Sequence, residues 1–169
     1  MMAYSTAPRS EERVREGLTL LYGTEALNSI AGMLLTIGLP FYMNHRFGWG
    51  ARENFTVAAL QGVFYVFGAL SAKRISSRWG RGRSLFRLYA GAAVLACAVG
   101  AGATMAWAHA VALLIVLQTF LLAASWPMLE SLVSESGEPA RLSKRLGGYN
   151  IVWASTGALA VAASGAVIQ

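Results

Sequence analysis

Residues 71–84, SAKRISSRWGRGRS, carry five cations and no anion, and an apolar run flanks them on each side. A basic stripe of this kind serves either a polyanion or the water-facing side of a membrane. Composition decides between them. Hydrophobic residues make up 56% of the 169-residue chain and charged residues 13%, about half of the ~25% usual in soluble domains. A sphere of this size has too few polar groups to cover so much apolar side chain, whereas a lipid-facing exterior needs none. The six cations between the two runs, with Arg87 counted at the start of the second, therefore need no nucleic-acid partner.

Apolar runs of ~17–25 residues cross a hydrocarbon core, and five occur: 18–43, 55–72, 88–107, 110–132 and 148–169. They are apolar nearly all round, which predicts an all-α membrane protein of five transmembrane helices. Residues 1–16 read as a polar tail, with Ser10 as helix cap ahead of Glu11 and Glu12, so a short amphipathic cytoplasmic helix leads into the first span. Twelve of the 14 Lys and Arg fall in the tail and in the loops after spans 2 and 4; only Arg46 and Arg52 fall elsewhere. Short basic loops stay in the cytoplasm. The N-terminus is therefore expected inside, in a multi-pass protein of the cell (inner) membrane. Trp49, Trp79 and Trp107 stand at the expected water boundaries, and His45 and His109 read as solvated residues of the outer one.

All eight acids are Glu. With no Asp, aspartyl proteolysis, Asp-rich metal sites and aspartyl phosphorylation are excluded, and Cys97 alone makes neither disulfide nor metal site. No nucleophile–base pair or metal-ligand cluster occurs, so neither an enzyme nor a cofactor is expected. The polar residues within spans are more informative. Tyr22, Glu25, Ser29, Gly32 and Thr36 are spaced three and four apart, with Asn28 beside them, a stripe along one helix face. A carboxylate in hydrocarbon costs ~2.5–3.5 kcal/mol at the centre, less off-centre. Glu25 therefore either faces a cavity, where desolvation makes it a candidate proton site, or snorkels to the boundary or pairs with a loop Arg. Span 2 offers Gln61, Tyr65 and Gly68. Span 4 offers Gln118, Ser125 and a kink at Pro127, with Glu130 interfacial; span 5 offers Asn150, Trp153, Gly157 and Ser164. Span 3 has only small residues after Arg87 and reads as peripheral.

The R-x-G-R-x-R pattern of Arg78, Gly80, Arg81 and Arg83, set between two spans, resembles the loop between helices 2 and 3 of the major facilitator superfamily. That family's pattern is G-x-x-x-D-[RK]-x-G-[RK]-x-[RK]; here Lys73 replaces the first Gly and Ser77 the Asp. LPFYMNHRFGWG (39–50) is similar to the family's L-P-x-Y ending of helix 1, and GEPARLSKRLGGYN (137–150) to its loop between helices 4 and 5. The helix 5 antiporter pattern is met at Gly148, Gly157 and Gly165 but not at Val161, Ala162 or Ala166. The helix 4 Arg of many proton antiporters is absent, so proton-coupled drug export is not supported.

The resemblance implies an incomplete N-terminal six-helix bundle of the major facilitator fold. It further implies a fragment or half of a secondary transporter, moving a small solute by alternating access between halves. Helices 1 and 4 would line the cavity, helices 2 and 5 the interface between halves, and helix 3 the outside. The cavity candidates are Glu25, Asn28, Gln118, Asn150 and Trp153; Arg78, Gly80, Arg81 and Arg83 form the gating loop, without the latch that the family's Asp supplies. The expected partners are the lipid bilayer, a small-molecule substrate and a C-terminal half in this or another chain. The alternative is a non-transport assembly subunit whose polar stripe binds another helix. Twelve Arg against two Lys amid abundant Ala and Gly are the usage of a GC-rich bacterial gene.

Overall fold

The computed structural model describes the backbone of residues 7–168 and the side chains of residues 14–164. Five long helices dominate it. Helix α1 runs through three consecutive segments, Ala7–Met33, the π segment Leu34–Gly38 and Leu39–Phe47. It is followed by α2 (Ala51–Trp79), α3 (Arg81–Thr104), α4 (Ala108–Glu135) and α5 (Leu142–Ile168), with a 3₁₀ turn at Pro139–Arg141 before the last. No strand occurs among the described residues.

The helices outrun the apolar spans, and this corrects the reading of residues 71–84. They are not a loop: α2 continues to Trp79, α3 begins at Arg81, and Gly80 alone joins them. Gly80 holds φ +78° and ψ 149°, which side chains with a Cβ rarely adopt. The 29 residues of α2 extend about 43 Å at 1.5 Å each, against a hydrocarbon core of ~30 Å. Hydropathy sees only the part that lies in lipid, and the charged ends stay helical beyond it. The same holds at the other end of the chain's first rod. Ser10 does not stand at a helix start, because the helix already runs from Ala7 without a break. The side chains of Arg9, Ser10, Glu11, Glu12 and Arg13, and the surroundings of Gly165, lie outside the described residues.

Among the described residues four helices, Val14–Phe47 with α2, α3 and α4, are long and apolar enough to cross a membrane. Helix α5 has 27 residues, and its apolar C-terminal end, from residue 165 on, lies outside the described side chains.

Prolines are accommodated differently in two helices. The π segment lies directly ahead of Pro40, whose ring would strike the carbonyl of Thr36 in an unbroken α-helix. Widening one turn moves that carbonyl aside. Helix α4 instead carries Pro127 within one uninterrupted element. Helix α1 ends on Gly48 at φ +67°, whose N–H donates to Asn44 O at 2.9 Å, a left-handed C-cap.

Helix α4 is the hub: α2 and α3 pack chiefly on it, and α1 packs chiefly on α5. In lipid, helices associate by close packing rather than by apolar burial, so small residues mark the seams. Gly68 of α2 meets the α4 backbone at Phe120, Gly91 and Gly102 of α3 meet Leu121 and Val111, and Gly148 and Gly157 of α5 meet Tyr22 and Met33. As expected, α3 lies to one side. The outward faces carry exposed Leu20, Leu27, Phe41, Phe55, Leu70, Phe86, Val94 and Ile151, a surface suited to lipid.

Candidate functional site

The polar stripe of α1 is buried at its middle, at Glu25, Asn28 and Ser29, while Thr36 at its end is exposed. Glu25 is wholly buried, with 0% exposure. One turn on, Ser29 Oγ donates to its Oε1 at 2.7 Å. Trp126 of α4 aims its indole N–H at both oxygens, 2.9 Å from Oε1 and 3.1 Å from Oε2. Tyr149 of α5 donates its hydroxyl to Oε2 at 2.6 Å. One carboxyl thus ties three helices together, and no Lys or Arg joins it: the ion pairs among the described residues, Arg81–Glu135 and Arg141–Glu138, lie at the basic end. Glu25 therefore neither snorkels nor pairs with a loop Arg.

Beside this cluster lies a cavity of about 140 Å³. Its wall comes from α1 (Asn28, Ser29, Gly32, Met33, Leu35, Thr36), α2 (Tyr65), α4 (Thr119, Leu122, Ala123, Trp126) and α5 (Trp153). Ser29 and Trp126 belong to both, so Glu25 sits one layer behind the wall. Helix α3 contributes nothing to it.

Of the five residues expected at a cavity, the structure brings three together: Glu25, Asn28 and Trp153. Asn28 is nearly buried and its Oδ1 has no partner. The other two are displaced by one position each. Gln118 is buried away from the cavity with Oε1 unpaired, while Thr119 lines the wall and receives Gln61 Nε2 at 3.2 Å. Asn150 is exposed, and Tyr149 beside it takes the inward place. Adjacent helical residues differ by about 100°, so spacing recovers a face but not its phase. Trp126 and Tyr149 were missed because an aromatic in an apolar run reads as packing. A useful signal is their register: Trp126 stands seven residues after Thr119 and Tyr149 four before Trp153.

The Tyr149 hydroxyl offers a direct check. Interhelical hydrogen bonds in membranes contribute ~0.6–1.7 kcal/mol, and a charged acceptor raises the value. Tyr149→Phe keeps the ring and leaves Ser29 and Trp126 on the carboxylate. It is expected to destabilise the bundle by about 2 kcal/mol, read as a lower midpoint for loss of the monodisperse species on heating in detergent.

A second buried polar group organises the basic end. Arg145, expected among the water-facing loop cations, is only 6% exposed. Its guanidinium donates to three carbonyls: Val133 at 3.2 Å, Ser134 at 2.9 Å and Glu138 at 2.7 Å. It caps the C-terminus of α4, where orphan carbonyls and the helix dipole favour a cation. The Arg145 carbonyl in turn accepts the Tyr22 hydroxyl at 3.0 Å. At the Gly80 joint, Ser84 Oγ donates to Gly80 O at 2.7 Å, Arg81 pairs with Glu135 of α4, and the Arg87 guanidinium lies 4.6 Å from the Trp79 ring centre. Basic termini of α2, α3 and α5 therefore meet at one end of the bundle.

Residues 18–169 match the family model of the Major Facilitator Superfamily. The chain belongs to that superfamily. No curated protein and no solved structure gives a significant match. In this major facilitator chain Arg78, Arg81 and Arg83 flank the tight α2–α3 joint at Gly80. Ser77, where the family carries Asp, turns its hydroxyl back to Arg74 O at 2.9 Å. The cavity residues come mainly from helices 1 and 4, the pair that the family resemblance assigned to it.

Proposed function

We propose that this major facilitator chain forms part of a secondary active transporter that moves a small solute by alternating access. Its N-terminus and basic end face the cytoplasm, α5 crosses the cell membrane with the other four helices, and Glu25 is the group whose charge state is coupled to transport. One observation carries the reading: a fully buried carboxyl, held by donors from its own helix and two others, lies one layer behind the wall of a cavity.

The mechanism follows from the donors. Ser29, Trp126 and Tyr149 all donate to Glu25, which accepts from each. A proton added to either oxygen places a fourth donor among the three. The two hydroxyls can turn and accept; the indole N–H cannot. The α1–α5 link through Tyr149 is then free to reverse or part, which changes how α1 and α5 are held at the wall of the cavity. Alternating access requires such a bistable contact. Moving the same unit charge through the full membrane potential contributes ~2.3 kcal/mol per 100 mV.

The test uses the transporter that contains these residues, reconstituted in vesicles, with an internal pH dye and a panel of small solutes. The wild type is expected to show solute-induced proton flux. Glu25→Gln is expected to retain downhill solute exchange and to lose the flux. Undiminished proton flux in Glu25→Gln would remove the coupling role.

A further inference from the structure

The cavity beside Glu25 has a chemical character of its own. No Lys, Arg or His lines it. The carboxyl behind its wall is met by neutral donors alone, so no cation among the described residues offsets it. Three aromatic rings form one side: Trp126 stands 5.9 Å from Tyr65 at 78° and 6.3 Å from Trp153 at 61°. Asn28, on the wall, holds a buried carbonyl oxygen that accepts from nothing. That oxygen has no accessible surface, so it meets a ligand in the cavity only after the amide turns over. Met33 adds a thioether, and the remaining wall is aliphatic.

We propose that this cavity binds a small organic cation, an ammonium group carried on an apolar body about the size of one aromatic ring. Each part of the ligand answers one feature of the site. The positive charge answers the uncompensated carboxyl and the three aromatic rings, whose electron-rich faces favour a desolvated cation. The ammonium N–H answers the orphan oxygen of Asn28, whose pairing with a ligand recovers an otherwise lost hydrogen bond. The ring-sized body answers the volume: about 140 Å³ is close to the ~150 Å³ of an engineered apolar cavity that holds benzene. An anion would face like charge and the negative ring faces. A neutral ligand of the same shape would fill the space but forgo the electrostatic attraction.

This inference deepens the transport reading by naming a substrate class for the same site, yet its test needs no transport. The full 169-residue chain, purified in detergent, is titrated at neutral pH with benzylammonium, benzyl alcohol and benzoate. Heat and tryptophan emission are followed together. Benzylammonium is expected to bind saturably and to change the emission, and benzyl alcohol to bind at least about tenfold more weakly. Benzoate is expected not to bind. Glu25→Gln should bring benzylammonium down to the affinity of the alcohol, and Trp153→Ala should weaken it without changing the order of the series. Equal affinities across the three probes, preference for benzoate, or no saturable binding by any of them would overturn the assignment. So would benzylammonium binding untouched by both substitutions. Should Glu25→Gln fail to fold, the probe series on the unaltered chain still decides. Cation binding in a protein with no solute-induced proton flux would sink the coupled-transport reading and leave this one standing.

Discussion

Replacing Gly68 by valine is expected to unseat α2 from α4 and to cost the bundle more than any other single change along that seam. A Cβ at Gly68 would stand 2.4 Å from the carbonyl oxygen of Phe120 and 3.0 Å from Ala123 Cβ. The first obstacle is backbone, so no side chain can swing away to make room. The two helices must separate, and overpacking of this kind costs ~1–3 kcal/mol even where the surroundings yield. The loss reaches the site, because Tyr65 lies one turn from Gly68 and contributes to the cavity wall with Ala123 and Trp126. Gly62 in the same helix is the control. Nothing lies within 4 Å of a Cβ there, so Gly62→Ala should be neutral or should stabilise by up to ~1 kcal/mol through helix propensity. Heating each variant in detergent and measuring the surviving monodisperse fraction separates the two. Equal survival of Gly68→Val and the wild type would show that α2 does not sit where the structure places it.

The second large effect is expected at Arg145. Arg145→Met preserves length and apolar volume but leaves the carbonyls of Val133, Ser134 and Glu138 without their donor. Hydrogen bonds from charged donors contribute ~1.5–3 kcal/mol each when measured singly, and those at one cap are not additive. A total of about 3 kcal/mol is expected. Arg145→Lys should recover only part of it, since an ammonium cannot reproduce the planar fork that reaches carbonyls on both sides. The loss should be local before it is global. Protease cleavage within residues 136–141 should accelerate in Arg145→Met under conditions where α2 and α3 remain intact. An unchanged cleavage rate and melting midpoint would refute the capping role.

The two effects differ in how visible they were beforehand. Gly68 could be read as a polar-face or packing position from its place in span 2, but its closeness to Phe120 involves residues more than fifty positions apart. Arg145 was misread outright. In sequence it is one of three cations in a short connection, and the rule that keeps such cations in water is sound on average. It failed here because the end of α4 presents unpaired carbonyls within reach of a long side chain. A buried Arg with three acceptors is less costly than three buried acceptors with none.

The candidate site was half legible for a related reason. Glu25 and Asn28 stood out because a carboxylate and an amide within an apolar run demand a partner. Nothing local indicated that the partners would be an indole and a phenol. Their donor groups are small parts of large apolar rings, and they come from 101 and 124 residues away. Gln118 and Asn150 drew attention by polarity, while the residues beside them, Thr119 and Tyr149, hold the inward positions.

Composition and spacing are enough to set the solvent and the skeleton: helices with too much apolar surface for water, cations gathered at one set of ends, small residues where rods must touch, and a family pattern across 18–169. These follow from local composition and from one-dimensional spacing, which transfer energies and helix geometry convert directly into structure. Which face of each rod turns inward is fixed by packing alone. A rotation of 100° about a helix axis leaves the period of a sequence unchanged, and it exchanges Tyr149 for Asn150 at a buried carboxyl. Contacts between α1, α4 and α5 select that rotation, and they exist only once the helices are packed together.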